Sequence, residues 1–157
     1  MFHRSPALVL ALVGLAMMPK QAAGQQSQTP LKPSAGKFGR SWPNPFNPVV
    51  HTNFTVGSGT CAPGETHAVT VRILNILAQP VVTMVMFGPA ANSTSSASSS
   101  MNGSPISDLR LECGDYVAFW DGKVPIGSSR EAASGTYIVQ LIVDGKLVNS
   151  TRIFYRK

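Results

Sequence analysis

With 157 residues, 43% hydrophobic content and a formal net charge of +6, the chain has the size and composition of a single globular domain, and two independent domains would be cramped. The positive excess is modest, and Lys32, Lys37 and Arg40 precede the first predicted strand. A nucleic-acid surface would instead cluster Lys and Arg with interleaved aromatics on a folded face, so nucleic acid is not an expected partner.

The chain opens on a short basic start, Met1 to Arg4, followed by the apolar run ALVLALVGLAMM (7–18). That run is too short to span a bilayer and ends at Pro19-Lys20. Ala22 and Gly24 occupy the small-residue positions that a signal peptidase reads, so residues 1–24 read as a secretory signal cut between Gly24 and Gln25. No cysteine stands at the new N-terminus to carry a lipid, and no transmembrane segment is expected after cleavage. Losing Arg4 and Lys20 leaves 11 basic residues against 7 acidic ones, a net charge of +4. Residues 25–41 (QQSQTPLKPSAGKFGRS) hold few large apolar groups and read as a disordered basic linker.

Residues 42–48, WPNPFNP, come next. Proline fixes φ, removes a donor and pushes the preceding residue toward extended geometry, so the segment is stiff. Three missing N–H groups exclude it from a central strand. It suits the rim of a sandwich, with Phe46 plugging the end of the core.

From Val49 the period is two. Thr52, Phe54 and Val56 share one face of VVHTNFTV, with His51, Asn53 and Thr55 on the other. HAVTVRIL turns Val69, Val71 and Ile73 inward, and after the break at Asn75 to Pro80 the run VVTMVMF (81–87) completes a predicted hairpin. Residues 88–105 are rich in serine, lack periodicity and read as a flexible insertion. Beyond them, DYVAFW places Tyr116, Ala118 and Trp120 on one face, and GTYIVQLIV does the same with Tyr137, Val139, Leu141 and Val143. Asp144-Gly145 is the strongest hairpin signal in the chain. Six or seven short strands and no long helix after the signal predict an all-β, antiparallel sandwich over residues 42–157.

Cys61 and Cys113 are the two cysteines, and in an exported chain pairing is the default. A loop of about 50 residues closed this way contributes roughly 4 kcal/mol as an upper figure. A cysteine metal site would need histidine partners, and in sequence His67 is the histidine near either cysteine.

The chain resembles the immunoglobulin-like domain of flagellar hook-capping proteins, related to C-terminal domains of secreted bacterial proteins that include type IX secretion sorting domains. The residues carrying the likeness are Pro43, Asn44, Pro45, Phe46, Asn47 and Pro48 ahead of an alternating strand, VTVRILNIL (69–77), Trp120, Asp121 and Gly122, SGTYIVQLIVDG (134–145) with Gly135 and Tyr137, and the closing TRIFYRK. Ala78 stands where the family has a turn glycine, and the cysteines and serine-rich stretch are additions to the minimal pattern. The resemblance implies an immunoglobulin-like β-sandwich of about seven strands, with sorting or anchoring as a possible role. Such domains usually terminate much larger proteins, which weakens a pure sorting reading here.

No catalytic constellation emerges. The mature histidines are His51 and His67, both read as solvated, and no G-x-S-x-G elbow occurs. Asp121 and Asp144 read as turn residues before glycine, and Glu112, Asp115 and Asp121 match no calcium loop. The expectation is a secreted or surface-associated module without enzymatic activity, cofactor or metal. Its expected partner is another extracellular or envelope protein, reached by loops or an edge strand near Val148 to Tyr155. A small carbohydrate-binding module is the alternative, with Trp42 the aromatic expected to be exposed.

Overall fold

The computed structural model describes residues 35–57, 61–90 and 101–157. The signal segment, its cleavage at Gly24-Gln25 and the linker up to residue 34 lie outside the described residues. The nine elements are strands: β1 (Gly36–Trp42), β2 (Val50–Val56), β3 (Thr66–Leu74), β4 (Pro80–Thr83), β5 (Val85–Pro89), β6 (Leu109–Glu112), β7 (Gly114–Trp120), β8 (Gly135–Val143) and β9 (Lys146–Tyr155).

Residue parity builds the core as the sequence predicts. Val50, Phe54 and Val56 of β2, Val69, Val71 and Ile73 of β3, Tyr116, Ala118 and Trp120 of β7, and Val139, Leu141 and Val143 of β8 are all fully buried. Thr52 shares that inner face, and its hydroxyl is 3.0 Å from Ser41 Oγ, which satisfies the buried polar group.

Antiparallel pairing arranges one sheet as β1-β2-β7-β5 and the other as β4-β3-β8-β9, with β6 also on β3. In chain order this reproduces the A-B-E-D and C-F-G sheets of an immunoglobulin frame, to which β4 and β6 are added. Those two short strands share one edge of β3: β4 pairs with Arg72–Leu74 and β6 with Thr66–Val69. Between them, Val71 donates to Ile106 O and accepts from Met84 N, so the ladder is continuous across the gap.

Three expectations are corrected. Residues 36–41 are not linker but belong to β1, which pairs with β2. The side chains of β1 bury little, so period-two reading has nothing to detect there. The run 81–87 is not one strand. It breaks at buried Met84, where the chain leaves one sheet and enters the other as β5. Of the insertion 88–105, Gly88 and Pro89 belong to β5, and residues 103–106 return along it through Met86 N to Ser104 O and Gly103 N to Met86 O. Residues 91–100 lie outside the described residues.

The proline-rich segment closes one end of the sandwich. Phe46 is buried, with its ring centroid 5.4 Å from Trp120 in one sheet and 4.9 Å from Tyr155 in the other. Its backbone pairs with β9, donating to Phe154 O and accepting from Arg156 N, while the Asn44 amide donates to Arg152 O and accepts from Phe154 N. The segment therefore covers the outer edge of β9 over Arg152–Arg156, much of the edge offered to a partner in the sequence reading. Gly122 is needed beside it: φ is +72°, and a Cβ would lie 2.8 Å from Pro48 O.

Tyr137 supplies a corner bond typical of this frame, donating from its hydroxyl to Ala133 O at 2.6 Å. The Asp144-Gly145 turn has positive φ at both residues, as a two-residue type I′ hairpin requires. Ala78 also has positive φ, +59°, in the position where the family pattern has glycine. The strain there is offset by Asn75, whose Oδ1 accepts from Leu77 N and Gln79 N.

Two outcomes are expected. Phe46→Ala removes a ring wedged between both sheets and should cost about 3–5 kcal/mol in urea unfolding. Burial and then Tyr155 raise the Tyr137 pKa above 10.0. The neutral phenol is therefore favoured in the folded state, and its contribution is present below pH 10.0 and lost as pH rises through the raised value. Tyr137→Phe should thus be less stable at pH 7, by about 1 kcal/mol for one lost hydrogen bond. It should also show a shallower loss of stability above pH 10; an unchanged alkaline slope would contradict this account.

Candidate functional site

Two constellations lie away from the core, one on a sheet face and one beside the disulfide. On the solvent face of the β1-β2-β7-β5 sheet, each strand contributes one ring. Cross-strand pairing sets Trp42 opposite His51, and His51 opposite Phe119. Trp42 stacks on His51 with centroids 5.5 Å apart and planes at 23°, and Phe119 lies 5.5 Å from the same imidazole. Phe87 meets His51 edge-on at 4.7 Å and lies nearly parallel to Phe119, with centroids 6.4 Å apart. The residue expected to be exposed, Trp42, is 36% accessible, and Phe87 is 55% accessible.

Bulges in both edge strands shape the surface beside these rings. Gly39 and Arg40 together oppose Asn53, and Phe87 with Gly88 opposes Val117. Between the bulges lies a groove of about 620 Å³ lined by Trp42, Asn53, Phe87, Pro89, Asp115 and Val117. The Asp115 carboxylate accepts from Thr55 Oγ1 at 2.5 Å. Asn53 Oδ1 is buried without a hydrogen-bond partner. A second recess of about 500 Å³ adjoins Phe87 and Phe119 on the side of Asn102.

The second constellation is built around Cys61–Cys113, a disulfide with a Cα–Cα separation of 6.2 Å. The expected bridge is present. Cys61 sits in the connection between β2 and β3, and Cys113 is the residue at which the chain passes from β6 in one sheet to β7 in the other. It is not the inter-sheet bridge of antibody domains, which joins strands B and F. Gly57 makes room for it: φ is +85°, and a Cβ there would overlap both sulfurs.

Against this bridge stands His67, which is not a freely solvated side chain. Its Nδ1 is 2.7 Å from Asp144 Oδ2, while Asp144 Oδ1 accepts from Ala68 N. The His67 bond, followed by the Ala68 bond, holds the Asp144 carboxyl below the usual aspartate range. On the other side of the ring, Glu65 Oε1 is 3.4 Å from Nε2 but out of hydrogen-bond alignment, so buried Nε2 has no partner. Glu65 is fixed through its other oxygen, which accepts from Ala62 N at 2.9 Å.

The remaining residues singled out by sequence are structural. Asp121 is the expected turn residue, accepting from Lys123 N and Gly127 N, and Trp120 is buried with its indole donating to Lys123 O. Pro43, Pro45, Asn47 and Pro48 frame Phe46, and Gly135 opens β8 opposite Tyr155. The sequence reading missed His51, Phe87 and Phe119 as partners of Trp42. The outward placement of His51 and Phe119 was accessible to it, because each has opposite parity to a core-facing row, but their meeting with Trp42 and Phe87 was not.

These sheets and this corner tyrosine define an immunoglobulin-like β-sandwich whose four-stranded sheet carries an aromatic outer face. No protein-family model matches the chain, and no curated protein matches it. Among solved structures it is similar to Pseudomonas fluorescens alkylpurine DNA glycosylase AlkC bound to DNA containing an abasic site analog, at 13% identity and a TM-score of 0.37, over 79% of this chain and 31% of that one. The chain thus spans less than a third of that protein's length.

Gly57→Ala tests the packing at the bridge. Forcing a Cβ into left-handed backbone costs roughly 1–2 kcal/mol before any overlap with sulfur is counted. The variant should lose at least that much in urea unfolding and show titratable free thiols, whereas wild-type stability with no free thiol would refute the assigned crowding.

Proposed function

We propose that this chain is a secreted, non-catalytic immunoglobulin-like module that binds another extracellular or envelope protein through the aromatic face of its four-stranded sheet. One observation carries the reading: Trp42, His51, Phe119 and Phe87 form a contiguous row across all four strands on a face that water would otherwise cover with polar groups. Half-solvated sheets alternate apolar and polar residues, and an exposed aromatic patch with a polar rim is the usual mark of a contact surface. Rings of this kind supply large contact area at low entropic cost and dominate binding energetics in protein interfaces.

The ring geometry favours a protein over a sugar. A carbohydrate stacks on a flat ring, but here one face of Trp42 is taken by His51 and Phe87 stands edge-on to that imidazole at 79°. Val117, Pro89 and Phe87 give the groove a largely apolar lining, and Asp115 is engaged by Thr55. Asn53 Oδ1, unpartnered beside Trp42, is the observation on the side of a sugar hydroxyl. Strand addition at β9 is less favoured, because the Asn44–Phe46 segment covers that edge over Arg152–Arg156. Sorting or anchoring through the C-terminal strand, the role implied by the hook-capping resemblance, belongs to the same proposal as an accessory function.

The test is photo-cross-linking in intact source cells with Phe87→benzoylphenylalanine, and with Leu147→benzoylphenylalanine on the other sheet as control. A discrete protein adduct from position 87, absent from position 147 and reduced at least tenfold by Trp42→Ala at unchanged Tm, is the expected result. Equal yields from both positions, indifference to Trp42→Ala, or displacement by soluble glycans would overturn the protein-docking reading, the last of these in favour of the carbohydrate one.

A further inference from the structure

We propose that the residues around the disulfide form a redox-controlled metal site: when Cys61–Cys113 is reduced, the two sulfurs, His67 Nε2 and a Glu65 oxygen bind one Zn²⁺. The four donors come from the β2–β3 connection, the start of β3 and the β6–β7 crossover, and their ligand atoms all lie within 4.8 Å of one another. A tetrahedron with Zn–S near 2.3 Å and Zn–N or Zn–O near 2.0–2.1 Å has edges of about 3.4–3.8 Å, so the donors need to converge by roughly 1 Å. The sulfurs, bonded to each other in the oxidised state, would separate to about 3.8 Å on reduction and metal binding.

The histidine carries the argument. Asp144 Oδ2 lies 2.7 Å from Nδ1 and engages that nitrogen, which leaves Nε2 as the one turned away from Asp144. Nε2 is buried without a hydrogen-bond partner and lies 3.4 Å from Glu65 Oε1, in the cluster that holds both sulfurs. A carboxylate behind a histidine is the usual support for a zinc ligand, orienting the ring and raising its basicity. Glu65 is held in the same way: Ala62 N binds Oε2, and Oε1 is left toward the site.

The redox step balances with a dithiol reductant. One of its thiolates attacks a bridge sulfur, releasing the other cysteine as a thiolate; its second thiol then closes an intramolecular disulfide and releases the remaining cysteine. Two electrons and two protons pass from reductant to protein. Zn²⁺ displaces both thiol protons to solvent and binds the thiolates. Metal and disulfide thus exclude each other, because a sulfur bonded to its partner has no thiolate pair to offer the ion until two electrons have been added.

The experiment reduces the full chain with a phosphine under argon and titrates it with Co²⁺, followed by Zn²⁺ competition. Expected are one ion per reduced chain, a tetrahedral Co²⁺ spectrum with a thiolate charge-transfer band, no binding to the oxidised protein, and at least tenfold weaker binding in His67→Gln. Asp144→Asn should weaken binding about 10- to 100-fold while the tetrahedral spectrum is kept, the mark of a positioning residue. Absence of stoichiometric binding, or an affinity indifferent to His67→Gln, overturns the proposal. If the reduced chain unfolds without metal, Zn²⁺ should restore its strand signal in far-UV circular dichroism in the wild type and not in His67→Gln, and failure to restore it is equally decisive.

Discussion

The fold depends on how its two sheets are held at the end where Trp120, Phe46, Tyr155 and Tyr137 meet. Trp120 comes from one sheet, and Tyr137 and Tyr155 come from the other, with Trp120 5.1 Å from Tyr137 and 6.1 Å from Tyr155. Phe46 belongs to neither sheet by continuous pairing. It enters from the proline-rich segment and fills the gap between them. Proline suits this role because it lowers the entropy of a segment whose backbone bonds are few. The bonds that remain go to β9, so one short stretch seals the core and masks a strand edge that would otherwise be open to association.

The opposite end is organised by a change of sheet. At Cys113 the chain leaves β6, on the edge of β3, and becomes β7, central in the other sheet. A crossover of one residue leaves little slack. Anchoring it to the β2–β3 connection through Cys61 constrains that part of the unfolded chain most directly. His67 and Asp144 add a second tie, from the start of β3 to the β8–β9 turn. His67 and Asp144 thus reinforce the crossover end, while Phe46, Trp120, Tyr137 and Tyr155 close the other.

Much of the core was legible because period two reports which side chains face inward, and β2, β3, β7 and β8 each carry an uninterrupted inner row. β1 was not legible, because it is held by backbone pairing to β2 and GKFGRS has no such row. The break at Met84 was invisible for the opposite reason: Met84 is as apolar as its neighbours, and the change of sheet lies in the backbone. The disulfide followed from two cysteines in a chain expected to be exported. The aromatic face did not follow, because it depends on registers between strands far apart in sequence: His51 with Phe119, and Val85 with Phe119 next to the bulge. Asp144 shows the same limit in one residue. Its turn role was local and readable, while its bond to His67 spans 77 positions.

The two unpaired polar atoms distinguish parts of the surface that serve the fold from parts that do not. Asn53 Oδ1 and His67 Nε2 are the buried side-chain atoms without partners among the described residues. Each such atom costs about 1–3 kcal/mol when desolvated alone, and the surrounding sandwich has no structural need of either. Asparagine at the centre of a sheet face could be threonine or valine at a gain in strand propensity. A histidine bonded through Nδ1 alone could be replaced by asparagine, which reaches the same carboxylate without burying a second nitrogen. One atom borders the aromatic groove and the other faces the sulfurs. The unmet hydrogen-bonding capacity therefore lies at the two places where the side chains already converge on a ligand-sized space, which is where the cost of leaving it unmet would be recovered on binding.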